Sequence, residues 1–197
     1  MTADAAMQEK SASKPGMPQP GLPRPFDPST APSRQVDCGN FDIHIARDGT
    51  WLYRGSPIER LPLVKLFASV LRRDAAGGYW LVTPAERGRI TVEDVPFAAV
   101  ELTATGEGQE QVLVFRTTLD DSVSADESHP LRVDNDDVTG EPNPYIVVRD
   151  GLEARLSRAV FYQLVELGRE ERVGERARFG VWSKGTFFPL GSLDPES

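Results

Sequence analysis

Nine polar side chains stand just beyond the ends of predicted strands: Arg54, Arg60, Thr83, Glu86, Arg87, His129, Arg132, Arg149 and Ser183. A guanidinium is a planar fork of donors that meets phosphate or carboxylate two bonds at a time, so the arginines among them suit an anionic ligand. Trp80 and Trp182 add indole faces able to stack on a base, although core packing is the ordinary use of a strand tryptophan, Trp51 included. For any single arginine a solvated position or a surface ion pair is the simpler explanation. Convergence of Arg60, Thr83, Arg149 and Ser183 on one concave surface is what would raise the set to a site.

Covalent and metal chemistry are poorly supplied. His129 could act as a general base oriented by Asp120 and Asp121, but such a histidine more often caps a strand or faces solvent. Neither G-x-S-x-G nor a P-loop occurs, and Ser11-x-x-Lys14 falls in a leader that cannot hold a site rigid. Two histidines and one cysteine, none at ligand spacing, argue against zinc. Asp134-Asn135-Asp136-Asp137 begins like a calcium loop, yet Val138 and Thr139 replace the oxygen ligand and the glycine that follow in one. Gly106-x-Gly108 lacks the third dinucleotide glycine, since Gln111 stands there, and it lies between strands. Neither a catalytic residue nor a cofactor is therefore expected, and non-enzymatic binding is the favoured mode.

These side chains must be held by a unit that the chain contains twice. Ile43 onward reads I-x-I-A-R-D-G-x-W-L-Y-R, then a helix, then Y-W-L-V-T-P. Tyr145 onward reads Y-I-V-V-R-D-G-L-E-A-R-L, then a helix, then V-W-S-K-G-T-F-F-P-L. Asp48 and Asp150 stand 102 positions apart, as do Tyr79 and Val181. Asp-Gly between alternating apolar residues predicts a hairpin turn in each copy. The spacing predicts a first helix opening at Pro62, with Leu63, Leu66, Phe67, Val70 and Leu71 facing inward and Arg72-Arg73 closing it. Ser157 is placed to cap a second helix, whose apolar face is Val160, Phe161, Leu164, Val165 and Leu167. The fold class is α+β: duplicated β-hairpin–helix–β-hairpin units with antiparallel sheets. Residues 1–34 read as a disordered proline-rich tail, 35–92 as the first repeat half, 93–141 as an acidic strand-rich middle segment and 142–192 as the second repeat half.

Charge separates these segments. The net charge is −8, and residues 91–141 hold thirteen acidic and two basic residues, so the middle carries the whole acidic excess. Duplex nucleic acid calls for a basic footprint, which is missing. No apolar run approaches a membrane span, and the N-terminus lacks the pattern of a signal peptide. The lone Cys38 fits a reducing compartment. A cytoplasmic protein that engages no membrane is the expectation.

The chain resembles a bacterial family of uncharacterised proteins, the domain of unknown function 1285 family. The motifs that carry the resemblance include D-G-T-W-L-Y-R-G-S-P-I-E-R, Y-W-L-V-T-P-A-E-R, V-E-D-V-P-F, H-P-L-R, R-A-V-F-Y-Q-L-V-E-L and G-V-W-S-K-G-T-F-F-P-L-G, spread from Phe41 to Gly191. The resemblance implies a duplicated α+β fold whose C-terminal half is superficially similar to pleckstrin-homology folds. It also implies a cleft between the halves for a nucleotide-like ligand, and a link to signalling. The chain departs from the family pattern in its long proline-rich leader and at Ala85, where a larger aliphatic residue is usual. The expected function is thus binding of a nucleotide-like or other anionic small molecule between the repeated halves. The alternative is a protein-interaction module that docks a basic protein partner through the acidic segment or the tail.

Overall fold

The computed structural model describes residues 26–30, 35–136, 138–173 and 176–192. Most of the expected disordered tail lies outside the described residues.

Turn chemistry sets the repeated hairpins. β1 (Val36–Ile45) passes through Arg47-Asp48-Gly49 and returns as β2 (Trp51–Tyr53). Gly49 is left-handed at φ +85°, and Asp48 Oδ1 accepts the Thr50 N–H at 2.9 Å to close the turn. In the second copy, β11 (Pro142–Arg149) and β12 (Leu152–Leu156) meet at Asp150-Gly151, with φ +47° and +72°. Two left-handed residues in succession give a turn whose twist matches that of its strands.

β3 (Ser56–Pro57), α1 (Leu61–Ser69), β4 (Leu71–Arg73), β5 (Tyr79–Val82) and β6 (Glu86–Val92) complete the first half. Its six strands form one sheet in the order β3-β2-β1-β6-β5-β4, antiparallel except where β1 and β6 run parallel. The acidic segment supplies β7 (Phe97–Thr105), β8 (Val112–Thr117), β9 (Ser122–Ser124) and β10 (Leu131–Asn135). These strands join the second hairpin in a sheet ordered β10-β11-β12-β7-β8-β9, with β12 and β7 parallel. α2 (Arg158–Glu166) leads to a separate three-stranded sheet of β13 (Arg169–Val173), β14 (Arg176–Ser183) and β15 (Thr186–Ser192).

Each copy is therefore a hairpin, a nine-residue helix and a three-stranded meander, in an α+β arrangement of two similar halves. The copies differ in how meander meets hairpin. In the first, β6 pairs directly with β1. In the second, β10 occupies the flank of β11, and β15 contacts β10 without joining its sheet. One apolar cluster runs through both halves, from Ile43 and Ile45 through Phe97, Phe115 and Ile146 to Val181 and Phe188.

Ser157 caps α2, its hydroxyl accepting the Val160 N–H at 3.4 Å. α1 departs from the predicted face. It buries Val64 and Ala68, leaves Leu66 60% exposed and ends before Leu71, which is a buried β4 residue. Arg72 and Arg73 likewise belong to β4, although the Arg72 guanidinium reaches back to the carbonyl of Ser69, the last helical residue, at 3.2 Å. The run Leu-Pro-Leu-Val-Lys-Leu-Phe-Ala is apolar on nearly every side, so periodicity alone does not select a stripe. At the other end of the sheet, the Phe26 N–H donates to the Arg73 carbonyl at 3.0 Å, and its ring meets Trp80 edge-on at 6.1 Å.

Candidate functional site

A cleft of about 710 Å³ opens where the first copy's Arg47-Asp48 turn meets β7, β11, β12 and the start of α2. Gly49 makes the approach possible: a Cβ there would meet the Ala98 Cβ at 3.1 Å and its backbone nitrogen at 3.3 Å. The start of α2 is fixed from the other side, the Ser157 N–H donating to the Ala99 carbonyl at 2.9 Å. Ala98, Val100, Leu156, Pro142 and Pro144 give the cleft apolar walls, and Phe161 and Tyr162 add rings from α2. Val100 and Tyr162 are 41% and 58% exposed, so these walls are open to solvent.

Three arginines and two acids line the same space: Arg47, Arg155, Arg158, Asp48 and Glu141. Arg155 is held in place by Asp94 at 2.6 Å and by the Asn143 side chain. Asp94 also accepts from the Tyr145 hydroxyl at 3.0 Å, and burial followed by the Asp94 charge pushes that phenol up. Arg47 and Arg158 are exposed, and among the described residues neither guanidinium makes a hydrogen bond or a close ion pair, although the Arg47 charge helps hold the Glu93 and Asp136 carboxyls below their ordinary values. The Arg47 backbone is nevertheless pinned, its N–H donating to Glu93 at 2.8 Å. Two guanidiniums with free hydrogen-bond donors beside an apolar, aromatic wall can hold an anion that carries a flat or apolar body.

None of the residues selected by strand-end position lines this cleft. Arg54, Thr83 and Glu86 line a different concavity, between the first hairpin and α1. There Arg54 pairs with Asp42 at 3.3 Å, and the Thr83 hydroxyl bonds both the N–H and the carbonyl of Glu86. Arg60 sits exposed at the N-cap of α1. Trp80 is buried and donates to Asp74 at 2.7 Å, with the Arg89 guanidinium 4.8 Å from its ring. Arg87 reaches Asp37 at 3.2 Å and the Pro28 carbonyl. Arg132 clasps Glu153 through two bonds of 2.7 and 3.0 Å and lies 4.1 Å from the centre of the Tyr145 ring. Arg149 donates to the Ala68 carbonyl and lines a smaller polar pocket at the end of α1. Trp182 donates to Glu171 at 3.1 Å. Ser183 is fully buried, donating to the Ala125 carbonyl at 2.7 Å and accepting the Leu113 N–H. Arg60, Thr83, Arg149 and Ser183 thus occupy four separate places.

His129 has a different carboxylate from the expected pair. It bonds Asp126 at 3.0 Å, three residues away on its own turn, while Asp120 faces Lys65 at 2.7 Å. Burial would push the Asp126 carboxyl up, but Lys184, the His129 ring and the N–H groups of His129 and Ser128 bring it down to about 2. A carboxyl lowered from 3.8 stabilises the fold above that pH and loses its contribution as pH falls toward 2. Asp126→Asn should therefore flatten acid destabilisation by about 1–2 kcal/mol between roughly pH 5 and 2, read by urea unfolding at several pH values. Parallel pH profiles for variant and parent would remove Asp126 as a cause.

The strand-end rule passed over Arg47, Arg155 and Arg158, though a signal for each was present. Arg47 belongs to the repeated R-D-G turn, and Arg155 and Arg158 flank the Ser157 cap.

Two family models divide the chain. A domain of unknown function, the DUF1285 N-terminal domain, matches residues 32–95, and the DUF1285 C-terminal domain, of unknown function likewise, matches residues 96–190. The chain belongs to the DUF1285 family. The DUF1285 boundary falls between Val95 and Pro96, just before β7, so the acidic strands go with the second hairpin, as the sheet order also has it. A DUF1285 crystal structure from Silicibacter pomeroyi DSS-3 is 46% identical, with a TM-score of 0.74 over 81% of this chain and 84% of that one. Another, from Shewanella baltica OS155, is 26% identical, with a TM-score of 0.51 over 64% of this chain and 92% of that one. No protein of curated function matches the chain.

Proposed function

We propose that this DUF1285 protein binds an anionic small molecule with a flat or apolar body, of the nucleotide-like kind, in the cleft between its two halves. The observation that carries this reading is the pair of guanidiniums, Arg47 from the first copy and Arg158 from the second, that share the rim of one cleft with Phe161 and Tyr162 and make no hydrogen bond among the described residues. Arg155, held by Asp94 and Asn143, places a third guanidinium along the same wall. The anion is held at the arginines and its base or ring lies on the aromatic wall. The ligand would then bridge the halves, which suits a cytoplasmic signalling role. The strands and helix of the second half, superficially like a pleckstrin-homology fold, form most of the cleft.

The test is thermal-shift screening of the full chain against a panel of nucleoside mono-, di- and triphosphates. A nucleotide that binds should raise the melting temperature in proportion to the logarithm of its concentration. Losing both Arg47 and Arg158 to alanine should weaken it by about 100-fold, each charge-assisted contact contributing about 1.5 kcal/mol or more. Stabilisation by no member of the panel, or equal stabilisation of the double variant, would overturn the reading.

A further inference from the structure

Trp80 is 7% exposed, yet it lies outside the apolar cluster that runs through both halves. Its neighbours on β5, Tyr79 and Leu81, belong to that cluster, so alternation turns the Trp80 indole to the outer face of the first sheet. Across the strands it stands opposite Arg72 of β4 and Arg89 of β6. The Arg89 and Arg87 guanidiniums lie 4.8 and 5.9 Å from its ring centre. Phe26 closes a further side, its ring edge-on at 6.1 Å. A residue of the leader therefore covers an indole that the sheet itself leaves on its solvent side.

The backbone of the same segment uses the open edge of that sheet. β4 is the last strand in the sheet order, with β5 as its neighbour. Along its other edge the Phe26 N–H donates to the Arg73 carbonyl at 3.0 Å, and Phe26 forms an isolated parallel bridge with Asp74. Two residues on, the Pro28 carbonyl accepts from Arg87, which also reaches Asp37 at 3.2 Å. A segment added at a sheet edge gains affinity from main-chain bonds and specificity from a side-chain pocket. Here the pocket is the Trp80 face and the side chain that enters it is one aromatic ring.

The hold on this occupant is short: an isolated bridge, one edge-on ring and one guanidinium, with Asp27 and Ser29 exposed. Short contacts of this kind open locally at little cost. Phe26 also precedes residue 32, where the match to the family's N-terminal domain begins, so the face belongs to the domain and its occupant does not.

We propose that the open edge of β4 and the outer face of Trp80 form a peptide-docking site, which Phe26–Pro28 fills as an exchangeable ligand in cis. The partner it fits is an extended protein segment with an aromatic residue where Phe26 stands and a free backbone carbonyl two residues later. Such a segment displaces the leader from the sheet.

The experiment uses the ¹⁵N-labelled full chain and follows the Trp80 indole resonance, assigned through Trp80→Phe. Phe26→Ser should move that resonance, because the ring that covers the indole is gone, while a thermal melt confirms folding. A synthetic peptide of residues 24–30, R-P-F-D-P-S-T, should return it saturably toward its position in the parent. The same peptide with alanine for phenylalanine should bind about tenfold more weakly, and Arg87→Ala in the Phe26→Ser chain should weaken the unaltered peptide about fivefold. In the parent chain the cis segment competes at an effective concentration on the order of 1 mM, so the peptide should bind there about tenfold more weakly than to Phe26→Ser. If Phe26→Ser does not fold, Phe26→Leu, which removes the ring and keeps an apolar side chain, serves in its place. An unmoved Trp80 resonance in the folded variant, no binding of the peptide to that variant, equal binding without the ring, or equal binding to parent and variant would each overturn the proposal. So would a parent resonance that changes with protein concentration, since the segment would then come from a second copy.

Discussion

Replacing Asp74 by alanine is expected to cost about 3–5 kcal/mol, a large share of the stability of an ordinary domain. The carboxylate is 7% exposed and serves as the hub of the turn between β4 and β5. Its Oδ1 accepts the N–H groups of Ala76 at 2.9 Å and Gly78 at 2.7 Å, and its Oδ2 accepts the Trp80 indole N–H at 2.7 Å. Burial alone would push this carboxyl up, but the three donors and the nearby Arg89 charge outweigh burial and hold it below its ordinary value. Alanine would strand three donors at once, one of them on a buried indole. Asp74→Asn should lose about half as much, because its carbonyl oxygen keeps the two backbone bonds while its amide faces the indole. Urea unfolding of both variants at neutral pH measures the difference. A loss below about 1 kcal/mol for Asp74→Ala would mean that the turn reorganises around water.

Phe97→Ala should be comparably damaging, at about 3–5 kcal/mol. The ring is 1% exposed and belongs to β7, the first strand after the DUF1285 domain boundary. Phe97 also stands in register with Ala154 across the parallel pair, and the Arg149 guanidinium lies 5.6 Å from the ring centre. Arg149 in turn bonds Ala68 of α1, so the cavity left by Phe97 loosens a contact between the halves. Val100→Ala, on the same strand but 41% exposed, should cost less than about 1 kcal/mol. Calorimetry of the parent should show one transition, because the apolar core is continuous across both halves. Two resolved transitions, with only the second sensitive to Phe97→Ala, would refute that coupling.

Local signals were the readable ones. The Asp-Gly turns, the Ser157 cap and the alternation of Phe41, Ile43 and Ile45 each depend on a few neighbouring residues, and each forms where its chemistry predicts. The parallel pairings of β1 with β6 and of β12 with β7 depend on partners distant in sequence. No short-range pattern encodes these pairings. The site residues follow the same division. Ser183 shares the inward face of β14 with Val181, a period-two signal that argued for burial. Trp80 lies between the core residues Tyr79 and Leu81, yet it is buried from the opposite face by Phe26 and by two arginines from β6, Arg87 and Arg89. That covering required tertiary knowledge. Arg47 was visible as part of a turn, but its meeting with Arg158 depends on how the second half closes over the first.

The parallel pairing of β1 with β6 also bears on how the protein is made. The first sheet cannot close until Val92 has left the ribosome, and from that moment the N-terminal half has every strand it needs. The second sheet must wait for β12, whose partner β7 was synthesised long before, so β7 to β9 emerge with an unsatisfied edge. Closing so long a loop costs entropy before any contact offsets it. The apolar residues of the completed first sheet belong to the same core as those of β7 and β8, so the earlier half already carries the face on which the waiting strands pack.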